Sequence, residues 1–311
     1  MRIAVLGGAG AMGGIFGGFL ARAGEDVTLI DVSRPAVEAI NRDGLVVEQK
    51  DGTVATIPVK ATTDPASVGP VDLIMNFVKC YHTEGAINSA KPMLGPDTAI
   101  LTLQNGWGNA DRIAAIVGRE RVMVGLTYAS GTLVGPGRVR NTGVAQTVIG
   151  ELDGSLSPRL ERAADALRRT GIDLQVSQRI VEEIWKKLVI NVCSLPTAAL
   201  LHFTADELPK HEGSVTLMRG LLREMAVVAK AEGIELDEEE RWAALIGILQ
   251  RAVGGRASML QDVEAHRQTE IDVVNGAIVA AGKRHGIATP LNDAMVWMVK
   301  AYQEEYLAKK A

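Results

Sequence analysis

The chain has 311 residues, 47% of them apolar, 23% charged and only 4% aromatic, so its core must be built from aliphatic side chains rather than rings. At roughly 150 residues per domain, that length predicts two domains, each large enough to bury its own core. A formal net charge of -4 and a pI near 5.8 argue against a nucleic-acid surface, which needs a clustered excess of lysine and arginine.

Residues 2–6 form a short apolar run that enters Gly7-Gly8-Ala9-Gly10-Ala11-Met12-Gly13-Gly14, after which 15–23 reads as a helix closed by Gly24. Val27 to Ile30 supplies a second strand and Pro35 to Asp43 a second helix that stops at Gly44. The stretch 45–59 alternates around Asp51-Gly52, which predicts an antiparallel hairpin with a two-residue turn. Buried parallel strands are expected at 72–78, 98–103 and 122–127, separated by helices at 82–91 and 109–117. The segments 137–142 and 145–149 read as a further hairpin at the sheet edge. A helix at 157–170 and a strand at 173–176 close this half.

Beyond Ser177 only helical periodicity remains, in segments 180–203, 213–233, 238–252, 261–285 and 290–308. The expected architecture is α/β: a Rossmann-type doubly wound, dinucleotide-binding domain over 1–177 and an all-helical, substrate-binding domain over 178–311. Cys80 and Cys193 lie in no CxxC or Cys/His cluster and the five histidines in no metal pair, so neither a disulfide framework nor a metal is expected. With no signal-like start and no run approaching ~18 apolar residues, a cytoplasmic protein is expected.

A GxGxxG string alone means little in a chain with 33 glycines. Here Gly8, Gly10 and Gly13 follow a strand and open a helix, which is the context that gives the string its chemistry. The first permits a tight turn, the second lets backbone approach a pyrophosphate, and the third lets helix pack on strand. The N–H groups of this turn, Ala11 and Met12 included, are the expected phosphate ligands. Asp31, at the end of the second strand, is placed to hydrogen-bond the adenosine ribose and would repel a 2′-phosphate, which favours NAD(H). Ser33, Arg34 and Lys79 are alternative phosphate ligands that leave NADP(H) open.

Four separated motifs, taken together, resemble the ketopantoate (2-dehydropantoate) reductases over nearly the whole chain. They are the glycine turn, Leu103-Gln104-Asn105-Gly106, Trp185-Lys186-Lys187-Leu188-Val189-Ile190-Asn191 with Pro196, and Ser258-Met259-Leu260-Gln261-Asp262 with Glu270. The resemblance implies that Lys187 gives a proton to a ketone oxygen, that Asn105 and Asn191 position nicotinamide and substrate, and that Ser258 holds the substrate carboxylate. It further implies that Glu270 binds a substrate hydroxyl or tunes the lysine, and that Lys79 lies near the cofactor. Ketopantoate reduction in pantothenate biosynthesis is the activity it implies.

Read from the residues alone, Lys187 and Asn191 are four apart and share a helical face with Ile184 and Leu188. An ammonium there can stabilise the charge left on oxygen by an arriving hydride and give up its proton. Glu270 is expected on a helical face with Val274, Ala277 and Ala281, paired with Lys187 or, in a purely structural role, with Arg267. Ser258 can equally be a helix N-cap with Gln261 at the capping-box position.

One departure stands out: the family pattern has an asparagine where this chain has Leu195, with Ser194 as a candidate substitute. A same-fold, NAD-dependent dehydrogenase acting on another hydroxy or oxo compound is therefore the alternative. A non-catalytic dinucleotide sensor would have no use for Lys187, Asn191 and Glu270 together. The expected partner is a small 2-oxo or 2-hydroxy acid, with neither nucleic acid nor membrane, and pairing into a homodimer is an expectation from the helical half.

Overall fold

The computed structural model describes residues 1–143 and 145–309. Strands and helices alternate at first: β1 (Arg2–Leu6), α1 (Ala11–Arg22), β2 (Asp26–Ile30) and α2 (Arg34–Asp43). Three short strands follow, β3 (Leu45–Glu48), β4 (Val54–Ile57) and β5 (Lys60–Thr62), then β6 (Val71–Asn76), α3 (Thr83–Ala90), β7 (Leu94–Thr102), α4 (Asn109–Val117) and β8 (Val122–Thr127). β9 (Ser130–Gly135), β10 (Arg138–Gly143), β11 (Thr147–Glu151), α5 (Pro158–Arg168) and β12 (Leu174–Val176) end the strand-bearing part. After them come α6 (Ile180–Leu201), α7 (Glu212–Ala231), α8 (Glu238–Arg251), α9 (Ser258–Glu264), α10 (Asn275–Arg284) and α11 (Pro290–Ala308).

The chain forms two compact units. One comprises 1–104 and 109–181, the other 105–108 and 182–311. In the first, eight strands make a sheet in the order β12-β11-β8-β7-β6-β1-β2-β5, parallel except where β11 runs against β8. Its strands β1, β6 and β8 are buried almost throughout, as both faces of such a sheet must be. Successive strands move outward from β1 in opposite directions, through β2 on one side and β6 on the other. The carboxyl end of β1 is therefore the switch point at which sheets of this kind bind ligands.

A second sheet, β4-β3-β10-β9, is folded from the excursion after α2 and from the chain after β8. The hairpin expected around Asp51-Gly52 forms between β3 and β4, with Gln49 N donating to Thr53 O at 2.7 Å, so its loop is longer than two residues. No hairpin joins 137–142 to 145–149. β10 pairs antiparallel with β9 and parallel with β3, whereas β11 lies in the main sheet between β8 and β12. The alternation in each segment was real, but it carries no information on the partner strand.

In the helical unit the segment 261–285, expected as one helix, is broken. α9 ends at Glu264, His266 takes φ 51°, and a 3-10 turn at 271–273 precedes α10. Tertiary bonds explain the break: Gln303 Oε1 of α11 accepts from both Thr269 N and Oγ1, and Tyr306 Oη donates to Arg267 O at 2.7 Å. Ser258 is the first helical residue of α9, not its cap; Ala257 occupies the cap, and Gln261 Nε2 reaches back to Arg256 O at 2.8 Å instead of closing a capping box.

By length and composition alone α6 could cross a bilayer, at 22 residues and a mean hydropathy of 1.3, although Glu182, Glu183, Lys186 and Lys187 interrupt its apolar residues. Its apolarity is accounted for by burial: Trp185, Val192, Cys193 and Ala198 are each 0% exposed.

Candidate active site

At the end of β1 the chain turns through Gly7, whose φ of +73° belongs to glycine. The amides of Gly7 and Gly8 both donate to Ile30 O, at 2.9 and 3.0 Å, which ties the turn to the end of β2. The positive φ falls on Gly7, the glycine outside the GxGxxG string, so Gly8 serves the turn by close packing instead. A Cβ on Gly8 would lie 2.7 Å from Leu29 Cβ, and one on Gly13 would lie 2.2 Å from Gly7 O. α1 then starts at Ala11 with Gly10 as a cap that offers no side chain and with no acid in its first turn. Its amino-terminal partial positive charge is thus left for an anion, and a pyrophosphate fits the donor set.

Asp31 is half-buried just beyond β2. Its Oδ2 accepts from Ala9 N at 3.1 Å and its Oδ1 from Ser33 N at 3.0 Å, so the carboxylate braces the glycine turn from the side. Lys79 is half-buried and caps the 3-10 turn that follows β6. A feature missed in the sequence holds this loop: Gln104 Nε2 donates to Val78 O at 2.6 Å and to Thr83 Oγ1 at 2.8 Å, while its Oε1 accepts from Asn76 Nδ2 at 2.8 Å. Phe77 and Val78 are the backbone against which Gly7 packs, at 3.1 Å from where its Cβ would be.

In the helical unit, Lys187 projects from α6 and its Nζ donates to Asn105 Oδ1 at 3.0 Å. Asn105 belongs to the four-residue segment that leaves β7 and joins this unit, and that segment is pinned tightly. Trp107 N donates to Val273 O at 2.8 Å, Gly106 has φ +87°, and any Cβ there would meet Val273 O at 2.2 Å. The turn dipeptide reading and the site reading of Asn105-Gly106 hold together, because the turn delivers the amide to the lysine. Trp107 also lies 6.0 Å, ring to ring, from the wholly buried Trp185 of α6.

Lys187 is half-buried as a residue, but protein atoms crowd its ammonium. Desolvation pulls its pKa from 10.5 down to about 8, opposed by the attraction of the Glu270 carboxylate. Glu270, 8% exposed, precedes the 3-10 turn at 271–273 and does not lie on a helical face with Val274, Ala277 and Ala281 as expected. Arg267, its alternative partner, donates through Nε to Asp262 Oδ1 at 3.1 Å. Lys187, Asn105 and Glu270 are thereby brought together from three separate stretches of chain.

Asn191, one turn beyond Lys187, is 9% exposed, and its amide makes no hydrogen bond among the described residues. Ser258 is half-buried at the start of α9, its hydroxyl likewise unengaged among them. Ser194, by contrast, donates its hydroxyl to Ile190 O at 2.7 Å, one turn back in its own helix, and that hydrogen is not available to a substrate. Leu195 packs against the apolar cluster of Met259, Val263 and Ile271.

A doubly wound dinucleotide fold, with a helical unit that presents a desolvated lysine held by an asparagine and a carboxylate, defines the class: an oxidoreductase. Two family models cover the chain, "Ketopantoate reductase PanE/ApbA" over residues 3–154 and its C-terminal counterpart over 179–303. The chain belongs to the ketopantoate reductase family. It is 35% identical to a 2-dehydropantoate 2-reductase of Pyrococcus horikoshii, over 97% of each chain. Among solved structures it is similar to a D-mandelate dehydrogenase with NADH and anilino(oxo)acetate, with a TM-score of 0.91 and 31% identity over 98% of this chain and 99% of that one. A PanE/ApbA family ketopantoate reductase from Ralstonia eutropha matches with a TM-score of 0.90 and 30% identity over 99% of this chain and 100% of the other.

Proposed function

We propose that the protein reduces a 2-oxo acid to the 2-hydroxy acid with a nicotinamide dinucleotide, Lys187 being the proton donor. When bound, the reduced nicotinamide supplies the hydride. The observation that carries the proposal is the Lys187 ammonium itself, desolvated to a pKa of about 8 and aimed by Asn105. As the carbonyl carbon gains a hydride, the carbonyl oxygen takes a proton from Nζ, and the neutral amine is reprotonated from solvent. A pKa near neutrality lets one group both hold and release that proton. Glu270 keeps the ammonium form accessible despite its burial. Asn191 and Ser258, with unengaged polar groups, are the substrate ligands, and Ser258 at the start of α9 suits the carboxylate.

Gly8, Gly10, Ala11, Met12 and Gly13 would hold the pyrophosphate and Asp31 the adenosine ribose, which favours NAD(H) over NADP(H). Lys79, on the loop that the Gln104 bonds hold, would lie along the cofactor. Ketopantoate is the substrate that the named relatives suggest. A second reading is favoured by Leu195 and Ser194: with an apolar side chain and a self-bonded hydroxyl on that turn of α6, a 2-oxo acid bearing an apolar substituent fits better than one bearing a hydroxyl.

Initial rates with NADH and NADPH against ketopantoate, phenylglyoxylate and 3-methyl-2-oxobutanoate test both. Turnover of at least one, reduced about 10²- to 10⁴-fold in Lys187→Ala, is expected. Absence of turnover with every 2-oxo acid, or an unimpaired Lys187→Ala enzyme, would sink the proposal. A kcat/KM that favours ketopantoate over both apolar acids would decide against the second reading.

A further inference from the structure

Pro196 lies inside α6, five residues beyond Asn191. Having no N–H, it cannot donate to the carbonyl of Val192, four residues back, and it leaves that group open within a buried helix. The missing bond is supplied from a distant part of the chain: Asn275 Nδ2, in the first turn of α10, donates to Val192 O at 3.1 Å. The same nitrogen donates to Asn292 Oδ1 at 3.0 Å. Asn292 in turn donates to Glu224 Oε2, through its backbone N at 3.0 Å and its Nδ2 at 2.8 Å, and Leu291 N donates to Glu224 Oε1 at 2.8 Å. Glu224, on α7, thus caps the open amino end of α11 and anchors the chain of amides.

Both asparagines are 0% exposed, and Asn275 Oδ1 has no hydrogen-bond partner among the described residues. Turning the amide over would set that oxygen against two other oxygens, so the orientation is forced, and the molecule tolerates a buried orphan acceptor to keep it. On either side of Val192, the hydroxyls of Ser194 and Thr197 bond back to Ile190 O and Cys193 O, both at 2.7 Å, so this stretch of α6 is held by side chains as well as by the helix ladder. Val192 adjoins Asn191 and lies little more than one turn from Lys187. An error in the helix here is carried directly to both side chains.

We propose that Asn275 is a positioning residue: its amide replaces the hydrogen bond that Pro196 removes and, anchored by Asn292 and Glu224, sets the course of α6 that aims Lys187 and Asn191. This rests on the reading of Lys187 as the proton donor. Displacing a reacting group by even 1 Å can cost about 10²-fold in rate, so the bond matters to chemistry beyond its share of stability.

The test compares Asn275→Leu, Pro196→Ala and the double variant, measuring kcat and KM for the best 2-oxo acid, KM for the dinucleotide, and the Lys187 titration by NMR of ¹³C-labelled lysine. N275L is expected to lose about 10- to 100-fold in kcat with the dinucleotide KM unchanged. Its Lys187 midpoint is expected to rise from about 8 toward 10.5. In the double variant, the Pro196→Ala change again offers a backbone N–H to Val192 O, and most of the lost activity and the original midpoint should return. A folded N275L with normal kcat and an unmoved midpoint overturns the proposal, as does a double variant no better than N275L. If N275L does not fold, the double decides alone: a folded, active double supports the role, and an unfolded one overturns it. Should the wild type turn over no 2-oxo acid, a midpoint that N275L shifts and P196A restores would still uphold the positioning role while the catalytic reading failed.

Discussion

Lys187 binds its proton less tightly in the folded chain, with a pKa of about 8, than in the unfolded one, near 10.5, because burial penalises the ammonium more than Glu270 rewards it. Between those two values the unfolded state holds more protons, so this residue makes stability rise with pH from 8 to 10.5; below 8 its cost is constant. Lys187→Met should therefore stabilise the protein at pH 7 by on the order of 2 kcal/mol, with the advantage gone above pH 10.5, as followed by thermal unfolding across that range. A K187M protein less stable than wild type at pH 7 would contradict this account of the site. The same pKa sets the activity profile. Reduction, which needs the ammonium, should decline as pH rises through about 8 in kcat/KM, while oxidation of the hydroxy acid, which needs the free amine, should increase over the same interval.

The segment after β7 acts as an element in its own right, though it has no regular secondary structure. Gly106 has φ +87° with Val273 O 2.2 Å from where a Cβ would be, whereas Gly108 has φ +93° with nothing within 4 Å. Gly108→Ala should cost only the strain of its backbone, about 1 kcal/mol. Gly106→Ala adds a backbone clash, breaks the Trp107 N bond to Val273 O, and should cost at least about 2 kcal/mol more, with a loss of kcat as Asn105 leaves Lys187. Denaturant midpoints and rates for the pair measure the difference, and equal effects of the two changes would show that the contact with Val273 does nothing for the site. Such a segment reads in sequence as a turn, from Asn-Gly. The carbonyl it meets belongs to residue 273, and no local pattern could reveal that. β10 and β11 make the same point for strands: each is visible as alternation, yet their partners are β9 with β3, and β8 with β12.

Over the whole molecule, each compact unit contains one of the two thiols, Cys80 in the first and Cys193 in the second. Both are buried, and the apolar surroundings of Cys193 raise its pKa well above that of an ordinary thiol. Neither should react rapidly with a disulfide reagent in the native state, both should do so in denaturant, and Cys193 should be the slower, as peptide mapping by mass spectrometry would show. Rapid native labelling of Cys193 would mean that α6 opens far more readily than its burial allows.

Period and punctuation determined a great deal here without any structure: the apolar runs, the glycine turn, the helix lengths, the α/β class and the residue types able to do oxidoreductase chemistry all follow from local spacing and composition. Other features were decided only when the chain folded, because they depend on groups far apart in sequence. The break between α9 and α10 is made by Gln303 and Tyr306, and the gathering of Lys187, Asn105 and Glu270 by contacts among three segments. The hydrogen-bond partner that Pro196 leaves wanting is supplied from position 275. Local preferences act over a few residues, whereas desolvation and the satisfaction of buried polar groups are settled by whatever tertiary packing brings alongside.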